Sequence, residues 1–70
     1  KLWDIHTVSA HSLKLNNAYF TKNLGYLSYG DSLEQLSIEN IRGCFQVKVM
    51  TSAIASSKGK IGFVCKKYLK

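Results

Sequence analysis

The stretch Phe45-Gln46-Val47-Lys48-Val49 alternates apolar and polar side chains without a break. Such alternation commits a segment to an extended strand with one buried face. Downstream, Lys60-Ile61-Gly62-Phe63-Val64-Cys65 is rich in β-branched and aromatic residues and reads as a second strand. Residues 51–59 between them are small, mostly polar and end in Lys58-Gly59, so the two strands read as a hairpin with a long loop. Phe45, Val47 and Val49 take the inner face, which leaves Cys44 on the outer face with Gln46 and Lys48. On the second strand Val64 and the small Gly62 suit the inner face, and Cys65 shares the outer one with Ile61 and Phe63. The two cysteines therefore approach each other on one outer face, where directly opposed residues lie about 4.5–5.5 Å apart. A Cys44–Cys65 disulfide fits that placement. It would enclose roughly 20 residues, contribute about 3 kcal/mol, and imply an oxidising compartment. The alternative is two thiols packed as small hydrophobes. A zinc site built with His6 and His11 matches no usual ligand spacing, so neither a metal nor a cofactor is expected.

A staple matters because the chain has only 70 residues. A domain of that size buries about 60% of its unfolded surface, and its core supplies only a few kcal/mol. Residues 1–70 are read as one domain, with no room for a deep catalytic cleft. No apolar run approaches the roughly 18 residues of a membrane span. No secretory signal stands at the N-terminus, which fits either a cytosolic chain or a mature, trimmed product, and the start at Lys1 without a Met favours a processed or excised segment.

The remaining segments also read as strands. Leu13-Lys14-Leu15 is a short alternating piece. Residues 24–29, the turn Gly30-Asp31 and residues 32–38 read as a second hairpin. The longest helical candidate is 32–41, where Leu33, Leu36, Ile38 and Ile41 have an ambiguous spacing; residues 39–43 make a turn. The expectation is an all-β fold, a small barrel or sandwich of five to six short antiparallel strands.

The order of these motifs resembles the bacterial-type SH3-like (SH3b) domain family. Leu24-Gly25-Tyr26-Leu27-Ser28-Tyr29-Gly30-Asp31-Ser32-Leu33-Glu34 is similar to that family's hydrophobic-Gly-x-Leu-x-x-Gly-Asp-x-Val-x segment. Val8-Ser9-Ala10 and Leu13-Lys14-Leu15-Asn16 resemble its opening, and Gly43-Cys44-Phe45-Gln46-Val47 resembles its Gly-Trp-Tyr-Lys-Val strand. Gly59-Lys60-Ile61-Gly62-Phe63-Val64-Cys65-Lys66-Lys67-Tyr68-Leu69 resembles its Gly-Lys-x-Gly-Trp-Val-x-x-x-Tyr-Leu terminus. The resemblance spans about residues 8–69. Cys44 and Phe63 stand at the family's two Trp positions, Gln35 replaces a usual Val, and the opening motif's Arg is absent. The resemblance implies an SH3-like barrel. It also implies a non-catalytic binding module of an extracellular or cell-envelope protein, with a peptide, a protein or a cell-wall polymer as ligand.

Charge and aromatics supply the candidate contact residues. Residues 1–39 set Lys1, Lys14 and Lys22 against Asp4, Asp31, Glu34 and Glu39, a net of −1. Residues 40–70 carry Arg42 and six lysines without an acid, a net of +7. Lys58, Lys60, Lys66 and Lys67 form a candidate basic patch, either to attract polyanions or to keep a small domain soluble. The aromatics are Trp3, Tyr19, Phe20, Tyr26, Tyr29, Phe45, Phe63 and Tyr68. Phe45 belongs to the core by parity, whereas Tyr19, Tyr29, Phe63 and Tyr68 could line an exposed groove for a peptide. Two further readings use the same features. One is a nucleic-acid-binding β-barrel working through the basic C-terminal half. The other is a small secreted effector or toxin-like β-sandwich acting on a host protein. A hydrolase is disfavoured, because His6 and His11 are the only imidazoles, nothing in the sequence sets either beside a nucleophile, and both read as surface residues.

Overall fold

The computed structural model describes residues 4–70, so Trp3 lies outside the described residues. Among these, six antiparallel strands form one sheet in the order β1-β4-β5-β6-β2-β3. They are β1 Ile5–Thr7, β2 Ser12–Asn16, β3 Asn23–Ser28, β4 Ser32–Gln35, β5 Cys44–Thr51 and β6 Ile61–Cys65. Two single 3-10 turns follow β5 and β6, at Ala55–Ser57 and Lys66–Tyr68. The all-β expectation holds.

Period-two alternation explains how the strands bury their inner faces. Phe45, Val47 and Val49 of β5, Leu13 and Leu15 of β2, and Val64 of β6 join Val8, Leu27 and Leu33 in one core. Each fully buried side chain of this type contributes about 1.5–3 kcal/mol. Gly62 lies on the same inner face, because a Cβ there would stand 2.6 Å from Leu15 Cγ and 2.9 Å from the Asn16 carbonyl oxygen. A glycine is what lets β6 close against β2.

The β5–β6 hairpin forms as the alternation predicts, with Phe45 opposite Val64 and Val47 opposite Gly62. The expected hairpin of 24–29 with 32–38 does not form. β3 pairs with β2, whereas β4 pairs with β1 and β5. Gly30-Asp31 does make a tight turn, with the Asp31 N–H donating to Ser28 O at 3.1 Å and Gly30 at φ 87°. That turn carries the chain from one end of the sheet towards the other. In a flat sheet, four strand spacings would separate β3 from β4 by about 19 Å. The link from Ser28 to Ser32 can span at most about 14 Å. The sheet must therefore curl.

Val8 is stitched to the turn between β3 and β4 and to the segment after β6. Its N–H donates to Asp31 O and its carbonyl accepts from Gly30, both at 2.9 Å, and it also bridges Leu69. The helical candidate 32–41 is likewise not a helix. Its first four residues are β4, held between β1 and β5 with Leu33 buried opposite Val49, and the rest is loop. Tertiary pairing overrides an ambiguous local spacing there. His6 is half-buried rather than a surface residue, with Nε2 2.8 Å from Gln35 Oε1 and its ring 5.1 Å from that of Phe45.

Candidate ligand-binding surface

The outer face at the cysteine end of the β5–β6 hairpin is where exposed side chains of three separate segments converge. Its floor is the Cys44–Cys65 disulfide. The Lys66 N–H donates to Gly43 O at 2.9 Å, which makes Cys44 and Cys65 a non-hydrogen-bonded pair, the register in which opposed side chains lie closest. Cys44 is buried despite its outward parity, because the bond to Cys65 and the segments around it cover it.

The first segment is the β2–β3 loop, organised by one side chain. Asn17 Nδ2 donates to Thr21 Oγ1, and Asn17 Oδ1 accepts from the N–H groups of Thr21 and Lys22. Phe20 sits at φ 59°, a left-handed conformation that costs a non-glycine residue on the order of 1 kcal/mol. Its ring meets Phe63 edge-on with centroids 6.4 Å apart. The neighbouring Tyr19 remains 82% exposed.

The second segment is the turn before β5. Asn40 Oδ1 accepts from the N–H groups of Arg42 (2.9 Å) and Cys44 (3.0 Å), and the Gly43 N–H donates to Asn40 O. Gly43 has φ 78°, which suits this turn to glycine. Held this way, Ile41 points wholly into solvent and Arg42 stands beside Cys44. The third segment is the Lys66–Tyr68 turn after β6, which presents Lys67 and Tyr68.

Together these segments outline three adjoining depressions that share Phe20. The largest, about 390 Å³, lies over β2 and β6 between Lys14, Phe20, Cys65, Lys67 and Tyr68. The next crosses the disulfide between Arg42 and Lys67. The last lies between Tyr19, Phe20, Ile41 and Arg42. The strip so formed carries three cations, Lys14, Arg42 and Lys67, and neither a carboxylate nor an imidazole lines it. Both sulfurs are joined to each other, so neither serves there as a nucleophile or metal ligand.

The residues proposed from sequence are distributed over this surface and beyond it. Tyr19 and Tyr68 border opposite ends of the strip, and Phe63 is half-buried against Phe20. Tyr29 belongs to another cluster, stacked on His11 at 5.9 Å with Lys70 Nζ 5.5 Å from its ring. The four patch lysines do not stand together. Lys58 and Lys60 flank one end of β6, Lys66 and Lys67 the other. Lys60 Nζ donates to Leu24 O at 2.8 Å, and Lys66 pairs with Glu39 at 3.6 Å. Only Lys67 of the four lines the strip. Phe20, Ile41, Arg42 and Lys14 are the contributors that motif reading passes over. Phe20 had one local signal: with Tyr19 it forms an aromatic pair inside an otherwise polar loop.

Among the described residues, no helix is long and apolar enough to cross a membrane. In comparisons with known proteins, no family model, curated sequence or solved structure matched this chain.

Proposed function

We propose that this chain is a non-catalytic binding module of an extracellular or cell-envelope protein, built as an SH3-like barrel, that engages a protein or peptide through the strip around Phe20. The single observation that carries this reading is the strip itself. Tyr19, Phe20, Ile41, Arg42, Lys67 and Tyr68 come together from three segments, two of them turns tied by the Asn17 and Asn40 side chains. Tyr and Arg are the residue types that most often anchor protein interfaces. The curl of the sheet and the tight Gly30-Asp31 turn support the barrel, and the disulfide supports an oxidising location.

A cell-wall polymer remains within this proposal as an alternative ligand on the same surface. The test is an NMR titration of the oxidised chain with soluble peptidoglycan fragments and with peptides. Shifts confined to residues 12–20, 40–44 and 63–68 support the reading. Shifts elsewhere, or none with any ligand, sink it.

A second reading, binding of single-stranded nucleic acid, is favoured by three cations, Lys14, Arg42 and Lys67, beside exposed aromatics, with no carboxylate among the described residues that line the strip. It requires affinity that falls steeply with salt and weakens on replacing Arg42 or Lys67.

A further inference from the structure

We infer that the segment read by this strip is an extended acidic peptide with one large apolar side chain. The apolar side chain seats between Tyr19 and Ile41, and carboxylates lie along Arg42, Lys67 and Lys14. This rests on the binding-module reading and adds the chemistry of the partner.

Shape is the first ground. The first and second depressions share Cys65 and Lys67 and the second and third share Arg42, a succession around Phe20 that suits an extended segment better than a compact ligand. The longest dimension of the molecule is 29 Å, which limits an extended ligand on one face to about eight residues.

Polarity along the path is the second. At one end Tyr19 is 82% and Ile41 102% exposed, and both are carried on turns fixed by asparagine side chains. With the backbone of both turns already tied, a partner that covers these two hydrophobes orders side chains and not loops. An aliphatic tip such as Ile41 has nothing specific to offer a base or a phosphate, so the apolar end favours a peptide over a nucleic acid.

Charge is the third. Lys14, Arg42 and Lys67 line the path and no carboxylate does, so the surface is complementary to acidic side chains. The guanidinium of Arg42, beside the apolar end, suits bidentate pairing with a carboxylate. Glu39 is the nearest acid in sequence to Arg42, and it pairs with Lys66.

The test is selection of a randomised eight-residue displayed library on the oxidised chain. Fluorescence anisotropy then compares the winning peptide with its Gln/Asn counterpart, its apolar-to-Ala counterpart and an eight-nucleotide oligothymidylate. Selected sequences should be enriched in Asp and Glu around one Leu, Ile, Phe or Trp. Either counterpart peptide should bind at least tenfold more weakly. Arg42→Gln with Lys67→Gln should weaken binding tenfold or more and flatten its salt dependence, and Ile41→Ser should weaken it about fivefold. All three positions are exposed, and an unchanged amide spectrum away from the sites checks the fold.

Neutral or basic winners on the same surface overturn the inference and leave the binding-module reading standing. So does binding of peptidoglycan fragments with no peptide selected. Tighter binding of the oligonucleotide at these residues overturns both in favour of nucleic acid. No binding by peptide, wall fragment or oligonucleotide overturns both outright.

Discussion

The loop at 52–60 and the two turns at 17–22 and 36–43 handle their side chains in opposite ways. The longer loop directs polar groups inward. Asp31, buried in the neighbouring turn, accepts from the Ser28 N–H (2.8 Å), the Ser52 hydroxyl (2.6 Å) and the Ala53 N–H (3.1 Å). Ser57 is buried and donates to Tyr26 O at 2.5 Å, and Lys60 reaches Leu24 O. These contacts cover carbonyls on the outer edge of β3, which would otherwise offer a pairing template. The other two turns hold Tyr19 and Ile41 out in water. Loop length by itself is therefore a poor guide to function here. The informative sign is which kind of side chain a loop buries and which it displays.

That contrast can be broken at several points. Asp31→Ala removes three hydrogen bonds to a buried carboxylate and should cost about 4 kcal/mol, enough to leave so small a domain largely unfolded. Urea denaturation read by circular dichroism measures it, and a loss under 1 kcal/mol would show that the inward loop is not structural. Replacing Cys44 and Cys65 together by Ala should cost about 3 kcal/mol, because a chain cross-link of sequence separation 21 no longer restricts the unfolded state. The same denaturation with and without reductant checks this, and the wild-type chain alone should respond to reductant. Ser57→Ala should cost about 1 kcal/mol and speed amide exchange in β3, as one edge carbonyl loses its cover. The smallest effect is expected at the displayed residues. Ile41→Ser and Tyr19→Ser should change stability by no more than about 0.5 kcal/mol. A destabilisation above 1 kcal/mol at either would mean that these turns serve the fold as the long loop does, and the contrast would disappear.

What the sequence made legible was local and periodic. The alternation of Phe45, Val47 and Val49 gave the buried face of β5, and parity set Cys44 and Cys65 on one face, where the register of the hairpin places them opposite each other. Gly62 on the inner face followed from the same count. β1 carried no such signal, since Ile5-His6-Thr7 is too short to alternate visibly. Pairing across Gly30-Asp31 was not legible, because one tight-turn signature serves both a hairpin and a passage between distant strands. Only the long-range partners of β3 and β4 decide between them. The strip was hidden for a similar reason. Arg42, Phe20 and Lys67 lie far apart in the chain and share no spacing, so no window of sequence contains the surface they form.

The stitching of Val8 has a consequence for the order in which the molecule is completed. Val8 precedes most of the chain, yet its bridge partner is Leu69, and its neighbours Thr7 and Ser9 bond to Lys70 and Tyr68. These contacts join residues near opposite ends of the described segment, so they form only when residues 68–70 meet residues 7–9. Such non-local closure carries a large loop-closure entropy and slows folding relative to a chain of local hairpins. Residues 66–70 act, in kinetic terms, as a latch on the sheet.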